Sequence, residues 1–262
     1  MSSNYSVRHD NETKRKNWTR SELILAINLY CKIPFGKIDM RTPEVIKLAR
    51  QLGRTPGSVS YKLANFASID PTLPRKGASN VSRLDKEVWN EFFNNWDNLV
   101  FESEKKAAEV ENISLEKFAE IDISDLPKGE NKERTVKARV NQQFFRKMVL
   151  STYNYSCCIT GLPIQELLIA SHIIPWSLDK ENRLNPTNGL CLNALHDRAF
   201  DNGLISFSDS YELLISERIT NLAPEKASFF LEYKNKKISL PKRFLPNIEF
   251  IAYHRDNIFK AG

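Results

Sequence analysis

The sequence predicts an α+β protein: a helical N-terminal module over residues 17–100, an acidic linker over 101–134, and a C-terminal unit over 135–262 in which short strands lead into a helix. Three observations predict it. Apolar residues recur at helical spacing through the first hundred positions. The charge then reverses, with four basic and nine acidic side chains over residues 101–130. Beyond that point, apolar runs of strand length bounded by proline and glycine replace the helical period. The polar residues 1–16 read as a disordered tail.

Within the N-terminal module, Thr19 stands three residues before Glu22, and Leu23, Ile24, Ala26, Ile27 and Tyr30 follow. That is the signature of a capped amphipathic helix. Pro34 to Gly36 ends it. Pro43 to Leu52 reads as a second helix with Val45, Ile46, Leu48 and Ala49 inward. The turn Gly53 to Gly57 leads to a third helix, Ser58 to Phe66, with Val59, Leu63 and Phe66 toward the core and Ser58, Tyr61, Lys62 and Asn65 outward. Two helices joined by so short a turn form a helix-turn-helix-like pair. Its second helix would enter a groove of duplex DNA through Arg54, Ser58, Ser60, Tyr61 and Lys62. The competing reading is a plain helical bundle. Leu84 to Leu99, with Val88, Trp89, Phe92, Phe93 and Trp96, is expected to close the module as a packing helix, since aromatics at helical spacing are usually core.

The linker includes a short docking helix around Leu115, Phe118 and Ile121 and a hinge at Asp125 to Glu130. Residues 131–150 then carry six basic side chains against Glu133 alone. This basic helix, with Val140, Phe144, Phe145, Met148 and Val149 on its packed side, suits phosphate contact through Arg139 and Arg146.

In the C-terminal unit, Leu167 to Ile174 is an apolar run stopped by Pro175, and Gly189 to Leu192 reads as the returning strand. Ala194 to Phe200 suits a short helix closed before Gly203. Residues 204–207 and 211–215 read as a second hairpin, with Ser208, Asp209 and Ser210 between. The first hairpin and its helix place His172, Asn188 and His196 in one window. Phosphodiester hydrolysis needs a base for water and a cation for the phosphate and leaving oxygens. A neutral imidazole can serve as base, and an imidazole or amide oxygen can hold a metal. His172 fits the base, Asn188 a loop brace or ligand, and His196 a ligand.

These residues resemble the HNH nucleases of the ββα-metal fold, in the branch seen in bacterial restriction-like proteins. The resemblance runs through Cys158 to Gly161, Ala170 to Trp176, Asn185 to Leu190 and His196 to Ile205, and weakly to Tyr253-His254-Arg255. It implies a metal-dependent DNA endonuclease in which His172, Asn188 and His196 form the catalytic set. His196, Asn188 and Asp197 are the metal-side candidates. One departure stands out: many of these nucleases carry aspartate or histidine directly before the base, where this chain has Ser171. Asp197 or Asp201 could supply the missing carboxylate. Magnesium is the expected ion, with manganese, nickel, cobalt or zinc open. The resemblance further implies double-stranded DNA, modified or not, as substrate, and a homodimer to cut both strands. The alternative is a DNA-binding regulator that keeps a degenerate nuclease scaffold. Lys242, Arg243, His254 and Arg255 are expected on the surface, within reach of DNA.

Composition sets the outer limits. The chain has 262 residues, 41% hydrophobic and 27% charged, with a net charge of +6. That is enough to bury a core without disulfides. Cys31, Cys157, Cys158 and Cys191 show no zinc-knuckle spacing, so reduced buried thiols and no structural zinc are expected. No apolar run approaches a membrane span and the start lacks a signal-like hydrophobic stretch, so a cytoplasmic protein is expected.

Overall fold

The computed structural model describes residues 16–73, 80–124 and 130–262. Residues 1–15 of the expected tail 1–16, and residues 125–129 of the expected hinge 125–130, lie outside the described residues. Helix α1 (Arg20–Lys32) starts at the expected capping box: the Thr19 hydroxyl accepts from the Glu22 backbone N–H, and the Glu22 carboxylate accepts from the Thr19 N–H at 2.8 Å. Leu23, Ile24, Leu25, Ala26, Ile27, Tyr30 and Cys31 are all buried. A helix this apolar around its circumference has to lie inside, and α1 is the central strut of the fold.

Helix α2 (Pro43–Gln51) and helix α3 (Pro56–Ile69) pack on each other across a tight turn in which Gly53 adopts φ +60°. Helix α4 (Arg83–Asn94) begins at a second capping box, Ser82 with Asp85, and ends at Asn95. The one packing helix expected over 84–99 is therefore two. Helix α5 (Trp96–Glu111) continues to Asn112, which closes it in the left-handed region. Helix α6 (Leu115–Ala119) follows, and α7 (Glu130–Thr152) leads into the β region.

Residues 101–119 are thus largely helical and packed, rather than the acidic connector expected. Net charge misled because the acids face bases within the fold. Glu104 is buried against Lys32, Glu102 meets Arg20 at 2.9 Å, and Glu120 meets Lys147 at 3.0 Å. Val100, Ser103 and Ala108 turn inward beside them.

After α7, strand β1 (Leu168–His172) pairs antiparallel with β2 (Gly189–Asn193), with Leu168 opposite Asn193 and His172 opposite Gly189. Helix α8 (Ala194–Asp201) follows at once, capped by Asn193. A second hairpin, β3 (Ile205–Phe207) with β4 (Leu213–Ile215), matches its expected position. Helices α9 (Glu217–Thr220), α10 (Pro224–Leu231) and α11 (Ile248–Asn257) complete the chain. Gly203, at φ +69°, lies where an added Cβ would meet the Ile258 carbonyl oxygen at 2.1 Å. Only glycine lets the segment after α11 close over the end of α8 there.

The helical and β regions share one continuous core. Ser151 of α7 donates to the Cys31 carbonyl at 3.1 Å, and Phe93 of α4 lies 6.3 Å from Phe244. Among the described residues no helix is long and apolar enough to cross a membrane. All four cysteines are free and buried, and burial pushes the Cys31 and Cys191 thiols up to about 12.

Two expected surface residues are interior. Arg243 is fully buried against α1, and His254 is buried within the β region. The His254 ring stacks on Phe200 at 3.6 Å and bridges the Phe200 carbonyl (3.1 Å) and the Ser206 hydroxyl (3.0 Å). These partners suit a neutral ring that donates from Nε2 and accepts at Nδ1. Burial lowers its pKa from 6.5 to about 4, with the Phe200 carbonyl opposing. The unfolded chain therefore binds the proton first as pH falls. The stabilisation is complete above pH 6.5 and is lost progressively down to about pH 4, an amount of about 3 kcal/mol. Urea midpoints for wild type and His254→Gln should converge over that interval; a constant gap between them would exclude His254 as the titrating group.

Candidate active site

His172 is the last residue of β1. Its ring lies flat on Phe145 of α7, with centroids 4.1 Å apart and planes 10° apart, and Trp176 meets its edge at 5.5 Å. This stack depends on Gly189 across the hairpin. A Cβ there would come within 2.5 Å of Val149 Cγ2 and 3.1 Å of Phe145 Cζ, so glycine allows α7 to descend onto the strand. His172 Nε2 lies 2.9 Å from the Arg183 carbonyl. A carbonyl only accepts, so the proton of the neutral ring sits on Nε2 and Nδ1 keeps the lone pair. Burial pushes the imidazole below its ordinary pKa; the Arg183 carbonyl opposes this and the Arg183 charge adds to it. The ring is therefore held in its basic form at neutral pH.

Asn188 is the brace. Its Oδ1 accepts from the Ile174 N–H at 2.8 Å, and its Nδ2 donates to the carbonyls of Ile174 and Asn182, both at 3.2 Å. The side chain is 1% exposed, so it ties the two ends of the loop after β1 together and is not presented to a metal. That corrects the expectation of Asn188 as a ligand.

His196 is also turned away. Its Nδ1 lies 3.0 Å from the Asn193 side-chain oxygen, and its ring packs against Phe230 (5.1 Å) and Tyr233 (6.1 Å). Nε2 is buried with no well-formed hydrogen bond among the described residues. The ring is held by the cap of α8 and by α10, and shares no described partner with His172.

The next residue faces the other way, because consecutive helical side chains are about 100° apart. Asp197 is half-buried beside Ser171, whose hydroxyl holds its carboxyl down while burial, the larger effect, pushes it up. Burial raises Asp201 as well, and the Asp197 charge adds to that. The Ser171 hydroxyl is itself buried without a well-formed hydrogen bond among the described residues. One carboxylate, Asp197, therefore meets an unsatisfied hydroxyl at the end of β1, and a second, exposed Asp201, follows one helical turn along α8. All three donors are hard oxygens. No three His, Cys, Asp or Glu side chains converge among the described residues, so water and phosphate oxygens would have to complete any shell. Magnesium and manganese fit such a site, since magnesium is commonly held through one or two carboxylates and several waters. Without an imidazole, the case for nickel, cobalt or zinc is weaker.

Residues 157–208 match the HNH endonuclease family. The matched segment runs from the turn before β1 through β1, β2, α8 and β3. A search of curated proteins finds no match to the chain. Helices α1–α7 and α9–α11 lie outside the matched segment and frame it.

The residues expected to contact DNA have mixed placements. Arg54 is bound to Glu22 at 2.8 Å and to the Lys16 and Asn17 carbonyls, and it covers the Trp18 ring at 4.1 Å. Lys62, expected to face outward, is buried with its amine on both carboxylate oxygens of Asp85 (2.7 and 2.8 Å). Its neighbour Asn65 is buried too. The sequence hid this because Asp85 lies 23 residues away, at the start of α4. Ser58 is half-buried and Tyr61 is 48% exposed. Arg146 donates to the Leu168 carbonyl at 2.7 Å and so anchors α7 to β1, while Arg139 binds the Asp122 carbonyl. Phe145, Trp176 and Arg183 surround His172, and none of them was singled out as a site residue. Arg183 is the one with a signal in the sequence, as a cation eleven residues after His172 in the same loop.

Proposed function

We propose that the chain is a metal-dependent, restriction-like DNA endonuclease with His172 as general base. The observation that carries this reading is the fixed tautomer of His172, whose Nε2 is occupied by the Arg183 carbonyl, at the strand end where the preceding residue, Ser171, meets Asp197. Nδ1 takes a proton from water as the water oxygen bonds to phosphorus. The P–O ester bond then breaks, and its electron pair leaves on the sugar oxygen, which takes a proton from solvent. Asp197 and Asp201, with Ser171, would hold a divalent cation that supplies Lewis-acid charge to the phosphate and leaving oxygens. Phe145 and Trp176 fix the imidazole plane, and Asn188 keeps the loop carrying the Arg183 carbonyl in place. The substrate would be duplex DNA, modified or not, cut by a homodimer with one site per strand. Exposed Tyr61 and half-buried Ser58 of α3 remain the candidates for groove contact.

Plasmid cutting in magnesium or manganese, with and without chelator, tests this function, and Asp197→Asn tests the metal side. The expected outcome is cutting that chelator stops, with the metal requirement of Asp197→Asn raised at least roughly tenfold. Persistent DNA binding without cutting in any metal would favour the regulator reading, for which the serine before His172 speaks.

A further inference from the structure

Half-buried Arg183 is held differently from the other buried or half-buried cations around it. Arg54 has Glu22, Lys62 has Asp85 and Lys32 has Glu104, and the Nη atoms of Arg146 and Arg243 are bound to carbonyls, whereas Arg183 makes no ion pair among the described residues. The neighbouring acid Asp179 is occupied by its own turn, accepting from the Glu181 and Asn182 backbone N–H groups and from the Asn182 side chain. The guanidinium is nevertheless fixed. Its Nε donates to the Trp176 carbonyl at 2.7 Å, and its carbon lies 4.9 Å from the Trp176 ring, which in turn meets the His172 ring at 5.5 Å. Nη1 and Nη2 make no hydrogen bond among the described residues. The carbonyl of the same residue holds His172 Nε2 at 2.9 Å. One residue thus orients the base through its backbone and sets a rigid cation with a free two-nitrogen edge beside it. A planar fork of that kind matches two oxygens of one phosphate. A cation next to a base that works as a neutral ring is counterproductive unless an anion arrives between them.

We propose that Arg183 is a further catalytic residue, whose Nη atoms bind the non-bridging oxygens of the scissile phosphate and stabilise the charge that grows on them during attack. The proposal rests on the nuclease reading. It extends that reading to a residue outside the base and the oxygen donors, and it places the phosphate between the Arg183 fork and His172.

The test is single-turnover cutting of a duplex at saturating protein by wild type, Arg183→Met and Arg183→Lys, with DNA affinity measured separately in chelator and folding followed by thermal melting. Arg183→Met keeps an apolar stem against Trp176. It is expected to cut about 10²–10³-fold more slowly, the usual loss for one transition-state donor, with DNA affinity within about threefold of wild type. Arg183→Lys keeps the charge without the fork and should fall between them. A sulfur in place of one non-bridging oxygen separates direct contact from a structural role. In one of the two isomers it should slow wild type while adding nothing to the loss in Arg183→Met, because both changes remove the same contact. This readout compares substrates within one variant, so it holds even if Arg183→Met melts earlier. Wild-type cutting with an unchanged rate in Arg183→Met, or with additive sulfur effects in both isomers, overturns the role of Arg183 alone. A wild type that cuts nothing in any metal overturns the nuclease reading and this role with it.

Discussion

His172→Ala is expected to lower the single-turnover cutting rate by about 10²–10⁴-fold, the range for loss of a positioned general base. The stack on Phe145 and the bond to the Arg183 carbonyl make the ring a pre-set acceptor, and no other imidazole among the described residues is placed to replace it. His196 is held by Asn193 and the α10 aromatics, and His254 by Phe200 and Ser206. The oxygen donors are untouched by this change, so the metal concentration for half-maximal residual activity should stay at its wild-type value. His172→Ala thereby separates base from metal: a rate loss without a metal shift is expected here, and a metal shift for Asp197→Asn. Cutting by His172→Ala at the wild-type rate would remove the residue from the mechanism. The substitution also leaves a gap over Phe145, so melting should be measured on the same preparation.

Arg243→Met should destabilise the fold by about 3–5 kcal/mol, the cost of removing one member of a buried, hydrogen-bonded charge set. The guanidinium is 0% exposed and donates to the carbonyls of Tyr30, Cys31 (3.2 Å) and Ile33 (2.6 Å), which close the C-terminal end of α1. It covers the Tyr30 ring at 4.6 Å, and the Tyr30 hydroxyl donates to buried Asp70 at 2.8 Å. Methionine fills much of the volume but leaves the carbonyls unsatisfied, the helix end without its cation and Asp70 without a nearby positive charge. Since Arg243 joins the C-terminal segment to the central helix of the N-terminal region, loss of stability should appear in both regions together. A single urea transition moved to lower concentration is the expected readout, with exposed Lys242→Met unmoved. A shift below about 1 kcal/mol, or an equal shift for Lys242→Met, would show that the buried arginine is dispensable.

The two changes probe parts of the molecule that differed in how readable they were. His172 was legible because its evidence is local: an apolar run of strand length, a proline that ends it, and an asparagine and glycine where the chain returns. The partners of Asn188 could be anticipated only as a brace or a ligand, and its contacts with Ile174 and Asn182 decided for the brace. His196 and Asp197 are adjacent on α8, and nothing local says which of them faces β1. The rotation of the helix settles that, and it turns the aspartate toward Ser171 and the histidine toward α10. The acidic segment after residue 100 misled for a related reason. A charge sum cannot distinguish a solvated connector from acids paired inside the fold with Arg20, Lys32 and Lys147.

What the sequence determined by itself is what neighbouring residues determine physically. The capping box at Thr19 and Glu22, the helix pair joined at Gly53, both hairpins and the order of His172, Asn188 and α8 all depend on backbone preferences and side-chain period within a few residues. What only the tertiary structure decided is the direction of each charged side chain. Lys62 finds Asp85, Arg54 finds Glu22 and Arg243 finds the end of α1 more than 200 residues away, while Arg183 finds no acid among the described residues. A buried charge must be paired or hydrogen-bonded wherever the fold brings a partner, and that meeting depends on packing across the whole chain rather than on the sequence around either residue.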